Sequence, residues 1–230
     1  MNMKSTCMAC CLLMMGCISG SAKDNKSEKT NKYKLVWQDH FKGKTFDSKS
    51  WSKISRDRPD WKRHMSYDDR LYEVKDGTLI LHGVNNDGSY KYDLNGDGKL
   101  EADTARFVTG GLYTKHKRTI EYGKVEVRAK LGQAQGAWPA IWMLPDRDIA
   151  WPNGGEIDIM EHLNFDPMAY QTVHTHYTHT LKQDMNPPHF ATGKIDTNGY
   201  NVYAVEILPD ELIFSCLLYT SPSPRDMRRS

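Results

Sequence analysis

Between Lys23 and Ser215 the chain contains no cysteine. All five cysteines lie outside that body, at Cys7, Cys10, Cys11, Cys17 and Cys216. The body therefore has no disulfide, no thiolate nucleophile and no cysteine-ligated metal. An excess of one charge sign is missing too. The 31 Lys and Arg against 29 Asp and Glu leave +2, and the two ends hold more than that excess. Lys4 adds one, and Arg225, Arg228 and Arg229 against Asp226 add two, so residues 23–215 carry −1. A near-neutral body excludes a duplex nucleic-acid binder, whose affinity comes from a basic face, and a partner chosen by charge alone. No apolar run is long enough to span a bilayer, and no long segment keeps a 3.6-residue apolar repeat.

What is present fits a globular chain. Its 230 residues suit one large domain or two small ones, with enough length to bury a core. Twelve Tyr, six Trp and six Phe in a neutral body suit stacking on a neutral, ring-shaped ligand as well as core packing.

The two ends read differently from the body. Lys4 followed by an apolar run to Leu12, Leu13, Met14 and Met15 makes residues 1–22 an export signal. Leu13-Met14-Met15-Gly16-Cys17 resembles a bacterial lipoprotein cleavage site, with Cys17 the lipidated residue. A cut after Gly20-Ser21-Ala22 is the alternative. The expected location is the outer membrane or cell surface through a lipid anchor, or secretion. Residues 23–32 are a polar linker. At the other end Cys216 to Asp226 reads CLLYTSPSPRD, which resembles the translation of a transposase-type sequencing adapter. Residues 216–230 are accordingly set aside as a non-native tail, leaving 33–215 as the domain.

Alternation dominates the body. Val125, Val127, Ala129 and Leu131 share one face of a predicted strand, with Glu126, Arg128 and Lys130 on the other. Lys34–Trp37, Thr78–Leu81, Ala140–Leu144, Thr172–Tyr177 and Val202–Leu208 are further candidates. Turn signals such as Asp76-Gly77, Gly154-Gly155 and Asn198-Gly199 separate them. Many short strands at this spacing predict an all-β sandwich or barrel.

The chemically dense stretch is Gly155-Glu156-Ile157-Asp158-Ile159-Met160-Glu161-His162. In a strand, Glu156 and Asp158 face one way while Ile157 and Ile159 face the core. A regular pleat brings His162, not Glu161, to the acidic face. If Met160 is the extra residue of a β-bulge, Glu161 returns beside Asp158. Three acids on one face repel one another, so the arrangement needs a reason. Retaining glycoside hydrolysis supplies one, needing a nucleophilic carboxylate and a proton-donating carboxyl roughly 5–5.5 Å apart. A straight strand would hold the Cα atoms of Glu156 and Glu161 about 16 Å apart, so the bend is a requirement. On this reading the charge of Glu156 raises the pKa of Glu161, which acts as acid and then as base. A solvated acidic face and a metal site built from Glu156, Asp158, Glu161, His162, His174 and His176 remain open on the residues alone.

That stretch, preceded by Gly136-Ala137-Trp138-Pro139-Ala140-Ile141-Trp142-Met143-Leu144-Pro145, resembles glycoside hydrolase family 16, in its bulged E-x-D-x-x-E branch of laminarinases and endo-β-glucanases. Leu35–Phe41 resembles the family's first strand and Tyr122–Leu131 its central one. The resemblance implies a jelly-roll β-sandwich of two antiparallel sheets with a concave substrate cleft. It makes Glu156 the nucleophile, Asp158 its helper and Glu161 the acid/base. It also implies further strands beyond Ser215, so the domain is expected to be incomplete at its C-terminus, with open sheet edges and a tendency to aggregate.

Trp138, Trp142 and Trp151 are candidate sugar-stacking residues, each with core packing as the alternative. His174 and His176 share a face of the following predicted strand, and Arg63 and His64 are candidate groove residues. Asp93, Asn95 and Asp97 resemble the start of a calcium loop, although Thr104 stands where a bidentate Glu belongs. The expected function is retaining endo-hydrolysis of β-1,3 or mixed β-1,3/1,4-glucan by a monomer that requires no cofactor; a structural calcium site and a plain polar turn are the two readings of the Asp93 loop. A galactan-cleaving glycosidase of the same family and a non-catalytic glycan-binding lipoprotein are the alternatives. Three convergent acids favour the enzyme, because a lectin has no use for them.

Overall fold

The computed structural model describes residues 2–5, 33–93, 97–183 and 186–218. Cys17 and Asn95 lie outside the described residues. In chain order the first strands are β1 (Asn2–Ser5), β2 (Ser52–Lys53), β3 (Tyr72–Lys75), β4 (Thr78–Leu81), β5 (Gly83–Asn85), β6 (Lys91–Tyr92), β7 (Glu101–Ala102), β8 (Phe107–Thr109) and β9 (Leu112–Tyr113). The later ones are β10 (Gly123–Ala129), β11 (Ala140–Met143), β12 (Glu156–Glu161), β13 (Met168–His174), β14 (Phe190–Lys194), β15 (Asn201–Ile207) and β16 (Glu211–Leu218). No helix among the described residues is long and apolar enough to cross a membrane. The chain divides into two compact units, residues 35–120 and residues 1–34 with 121–230.

The second of these units is a jelly-roll sandwich. One sheet runs β11-β12-β13-β14, antiparallel throughout. The other runs β1-β16-β15-β10, antiparallel except for the parallel β1–β16 pair. Alternation decides which side chains meet between the sheets. Ile159, Met160, Ala169 and Val173 come from the first sheet and Tyr203, Val205, Leu212 and Phe214 from the second, all in one buried cluster. Val125 and Ala129 of β10 pack against it while Lys124, Glu126 and Arg128 stay exposed, as the alternation predicts. The connection from β14 to β15 is set by Asp196 and the buried Asn201, whose side-chain oxygen accepts the Asp196 N–H at 2.9 Å and whose amide donates to Asp196 O at 2.9 Å.

The unit of residues 35–120 is built from two-stranded ladders, β2–β9, β3–β4, β5–β8 and β6–β7. The β3–β4 hairpin closes through Asp76-Gly77, both at positive φ (50° and 70°), the geometry of a two-residue hairpin loop. Leu71, Tyr72 and Val108 form a small core with Phe46, Val84, Tyr90 and Leu112 around it. A part-buried ion pair adds to this unit: Arg56 donates to both oxygens of the buried Asp103 at 2.6 and 3.0 Å and to Met65 O at 2.9 Å.

Two strand predictions are corrected. Lys34–Trp37 forms no strand and has no ladder partner among the described residues. Trp37 instead packs its ring 5.7 Å from that of Trp51, whose Nε1 donates to Asp39 at 2.8 Å. The predicted Thr172–Tyr177 strand stops at His174 because Thr175 caps a π-helical turn over His176–Thr180. Its hydroxyl accepts the Thr178 N–H at 3.1 Å, and the Thr178 hydroxyl accepts the Thr175 N–H at 3.1 Å. In the loop after β6, both oxygens of Asp93 accept backbone N–H groups, from Asp97 at 3.1 Å and Gly98 at 2.9 Å. His64 stacks edge-on against Phe107 at 5.9 Å.

Candidate active site

Gly155, at φ +80°, turns the chain directly into β12. Along that strand Glu156 lies opposite His174 and Asp158 opposite Thr172 on β13, but Glu161 lies opposite Tyr170. Three steps on β12 therefore match two on β13, the signature of a β-bulge. The β11 side shows the same slip, with Asp158 paired to Trp142 and Met160 to Ile141. Ile159 is thus the residue without an opposite partner on β11, and Ile159 with Met160 faces the single residue Gln171 on β13. Both are buried, each 1 % exposed. The predicted kink exists, displaced by one residue from Met160 alone to the Ile159-Met160 pair.

The register fixes the faces. Tyr170, Thr172 and His174 of β13 alternate with the buried Ala169, Gln171 and Val173, so Glu156, Asp158 and Glu161 share the face turned away from the core. Ala140 and Trp142 of β11 belong to that face, and so do Phe190 and Thr192 of β14. His162, which a regular pleat would have placed among the acids, is fully buried, with Nε2 2.7 Å from Asp166 O. It takes no part in the acidic cluster.

Gln171 was not singled out by the sequence. It is buried and donates its side-chain amide to Ile159 O at 3.2 Å, so the carbonyl released by the bulge keeps a partner. Its signal was a polar residue at an inward position between Ala169 and Val173.

The electrostatics follow from crowding. Burial first, then the charge of Asp158, pushes Glu156 up to about 7, while His174 and the Trp151 indole act the other way. Glu161 is raised by burial and by Asp158, against the Trp138 indole, whose Nε1 donates to Glu161 Oε1 at 2.8 Å. The expected contribution of the Glu156 charge is replaced by burial, with the charge of Asp158 second. His174 Nε2 lies 3.3 Å from Asp158 Oδ2, and that contact, helped by the charges of Glu156 and Glu161, raises its pKa. Glu156, Asp158 and His174 bring one donor atom each to within 4.8 Å of one another, the one such trio among the described residues. Once protonated, a state that Asp158 favours, His174 itself supplies positive charge there.

Of the aromatic candidates, Trp138 is half exposed and bonded to Glu161, and Trp142 stands opposite Asp158. Trp151 packs against His174 and His179 at 6.0 and 4.3 Å between rings. His176 does not join them. It opens the π-helical turn, exposed, with Nδ1 2.9 Å from Asn153 Oδ1. Phe190 and His179 were missed, since only pairing and the turn bring them here.

A model of the XgeA-like catalytic domain of glycoside hydrolase family 16 matches residues 126–204, from β10 into β15. A beta-glucanase of Rhodothermus marinus is 34 % identical over 229 residues, covering 93 % of this chain and 73 % of that protein. The chain belongs to glycoside hydrolase family 16. The family 16 chain is also 33 % identical over 189 residues to the keratan-sulfate endo-1,4-beta-galactosidase of Sphingobacterium multivorum, covering 80 % of this chain and 42 % of that relative. It spans 26 % of a glucan endo-1,3-beta-glucosidase A1 of Niallia circulans, at 32 % identity over 186 residues. It thus covers less than half the length of these last two curated relatives. Among solved structures, the laminarinase from Rhodothermus marinus superposes with a TM-score of 0.62 at 30 % identity, over 79 % of this chain and 70 % of that one.

Proposed function

We propose that this family 16 chain is a retaining endo-β-glucanase acting on β-1,3 or mixed β-1,3/1,4-glucan. The observation that carries the reading is the Ile159-Met160 bulge, which returns Glu161 to the face of Glu156 and Asp158. In the first step the Glu156 carboxylate attacks the anomeric carbon, and the Glu161 proton passes to the departing glycosidic oxygen. In the second, the Glu161 carboxylate takes a proton from water as that water displaces Glu156 from the sugar. Asp158 holds Glu161 protonated for the first step through its negative charge. Glu156 must be ionised to attack, and His174 with the Trp151 indole favours that state. Trp138, Trp142 and Trp151 supply ring faces for the sugars.

A second reading, cleavage of a β-galactan, is favoured by the 33 % identity to the keratan-sulfate endo-1,4-beta-galactosidase. Export with a lipid anchor on Cys17 belongs to the same proposal and rests on the cleavage-site motif. The test is digestion of β-1,3-glucan, mixed-linkage glucan and unsulfated β-1,4-linked galactan, with the fresh reducing end followed by NMR. Release of oligosaccharides with the β-anomer formed first is expected. Initial α-anomer would overturn double displacement, and cleavage of the galactan alone would replace the glucan reading.

A further inference from the structure

Beside the acidic face lies a cavity of about 330 Å³ lined by His174, Thr178, His179, Lys182, Gln183 and His189. Among the described residues, no carboxylate lines it. The Lys182 ammonium, the Gln183 amide and the imidazole N–H groups give it hydrogen-bond donors and positive charge. A neutral hydroxyl has no need of a lysine ammonium set among imidazole and amide N–H groups, whereas a sulfate or carboxylate is bound by such a donor set.

Its position ties it to the reaction. His174 belongs both to the cavity and to the acidic face, where it stands opposite Glu156. The Trp151 ring meets His179 edge-on at 4.3 Å and is half exposed, so a sugar on that indole lies next to the cavity. Lys182 is held at φ +53°, a left-handed conformation that a non-glycine residue keeps only where its surroundings impose it. Burial, followed by the charges of Lys182 and His174, keeps His179 below its ordinary pKa, which suits it to serve as a neutral N–H donor beside the Lys182 ammonium.

We propose that this cavity is a subsite for an anionic substituent, a sulfate ester or a carboxylate, on the sugar next to Glu156. The inference rests on the glycosidase reading of the acidic face. It extends the substrate class from unsubstituted β-glycans to β-glycans carrying acidic groups.

The test uses the full chain, as wild type and as Lys182→Met and Lys182→Glu, on one β-1,3-glucan backbone in three forms: unsubstituted, sulfated and carboxymethylated. For the acidic forms kcat/KM should fall roughly tenfold in Lys182→Met and further in Lys182→Glu, with unsubstituted glucan unchanged. Loss on the sulfated form alone, or on the carboxymethylated form alone, identifies which anion is taken and supports the subsite. Equal loss on all three forms overturns it. Inorganic sulfate followed through the histidine ring NMR signals gives a readout independent of turnover. A saturable shift at His179 and His189 that vanishes in Lys182→Glu supports the subsite even if no form of the glucan is cut, an outcome that would defeat the polymer reading alone. No shift, or the same shift in Lys182→Glu, overturns it.

Discussion

Asp103 and Asp158 are both buried carboxylates, 5 % and 2 % exposed, one in each compact unit. Asp103 receives the forked guanidinium of Arg56 and the Ala105 N–H at 2.9 Å. Burial alone would raise its pKa, yet these donors hold it below the ordinary value. Asp158 has Glu156 and Glu161 as neighbours on its strand, and its charge raises the pKa of both. One arrangement removes the cost of a buried charge and the other shares it among three acids. The first holds its carboxylate charged; the second raises both neighbouring carboxyls, the direction a general acid at Glu161 requires.

The largest expected effects separate the two. Glu156→Gln should lower turnover on the order of 10⁴-fold or more while leaving the melting temperature unchanged or raised, since it removes a charge from a crowded site. Asp103→Ala removes the carboxylate from a half-buried Arg56 that keeps its bond to Met65 O, and should cost about 1–3 kcal/mol of stability in urea unfolding, without abolishing turnover by the folded fraction. If Glu156→Gln unfolds the chain and Asp103→Ala silences it, the contrast is reversed.

The pH dependence sharpens the same contrast. The folded-state pKa of Glu156 is raised, to about 7 from 4.5. Its contribution to stability is therefore present below about 4.5 and lost as pH rises through about 7. Asp103 is lowered from 3.8, so its contribution is present above that value and lost as pH falls through the lower folded one. Catalysis needs ionised Glu156, so kcat/KM should fall as pH drops through about 7. Asp158→Asn removes the charge behind part of that shift and should move this acid limb down by roughly one pH unit. A limb that stays in place would mean burial alone sets Glu156.

Much of this was legible in the residues. Alternation located β10, β11, β12 and β15 because each has one face on a core and one away from it. The kink was legible only as a requirement of the chemistry, since Ile159-Met160 reads like any apolar pair until the register is counted. The false continuation to Tyr177 arose because Thr172, His174 and His176 keep the two-residue period. The hydroxyl of Thr175 had already diverted the backbone. Phe190 and Lys182 could not be placed, because β14 pairing and a turn at positive φ decide their positions.

Gln171 gives an intermediate effect. Replacing it with Leu leaves Ile159 O without its amide donor in a buried site, at a cost of about 1–3 kcal/mol. If the amide also steadies the spacing of Glu156 and Glu161, kcat should fall about tenfold with KM little changed, because the sugar-contacting rings are untouched. Loss of stability with normal kcat would make Gln171 a packing residue alone.

The smallest effect belongs to Trp138→Phe. The indole N–H at 2.8 Å from Glu161 Oε1 favours the carboxylate over the acid, opposing burial and Asp158. Phe keeps a ring face for sugar and removes only that donor. Glu161 should then hold its proton to higher pH, moving the alkaline limb of kcat/KM up by a few tenths of a unit. The first step, which uses the acid, should be nearly unaffected. The second, which uses the carboxylate as base, should slow about two- to fivefold and increase the burst of leaving group from an activated aryl glycoside. Trp138→Ala, which also removes the ring, should raise KM as well. An alkaline limb that moves down in Trp138→Phe would show that the indole acts on Glu161 by excluding water rather than by donating its proton.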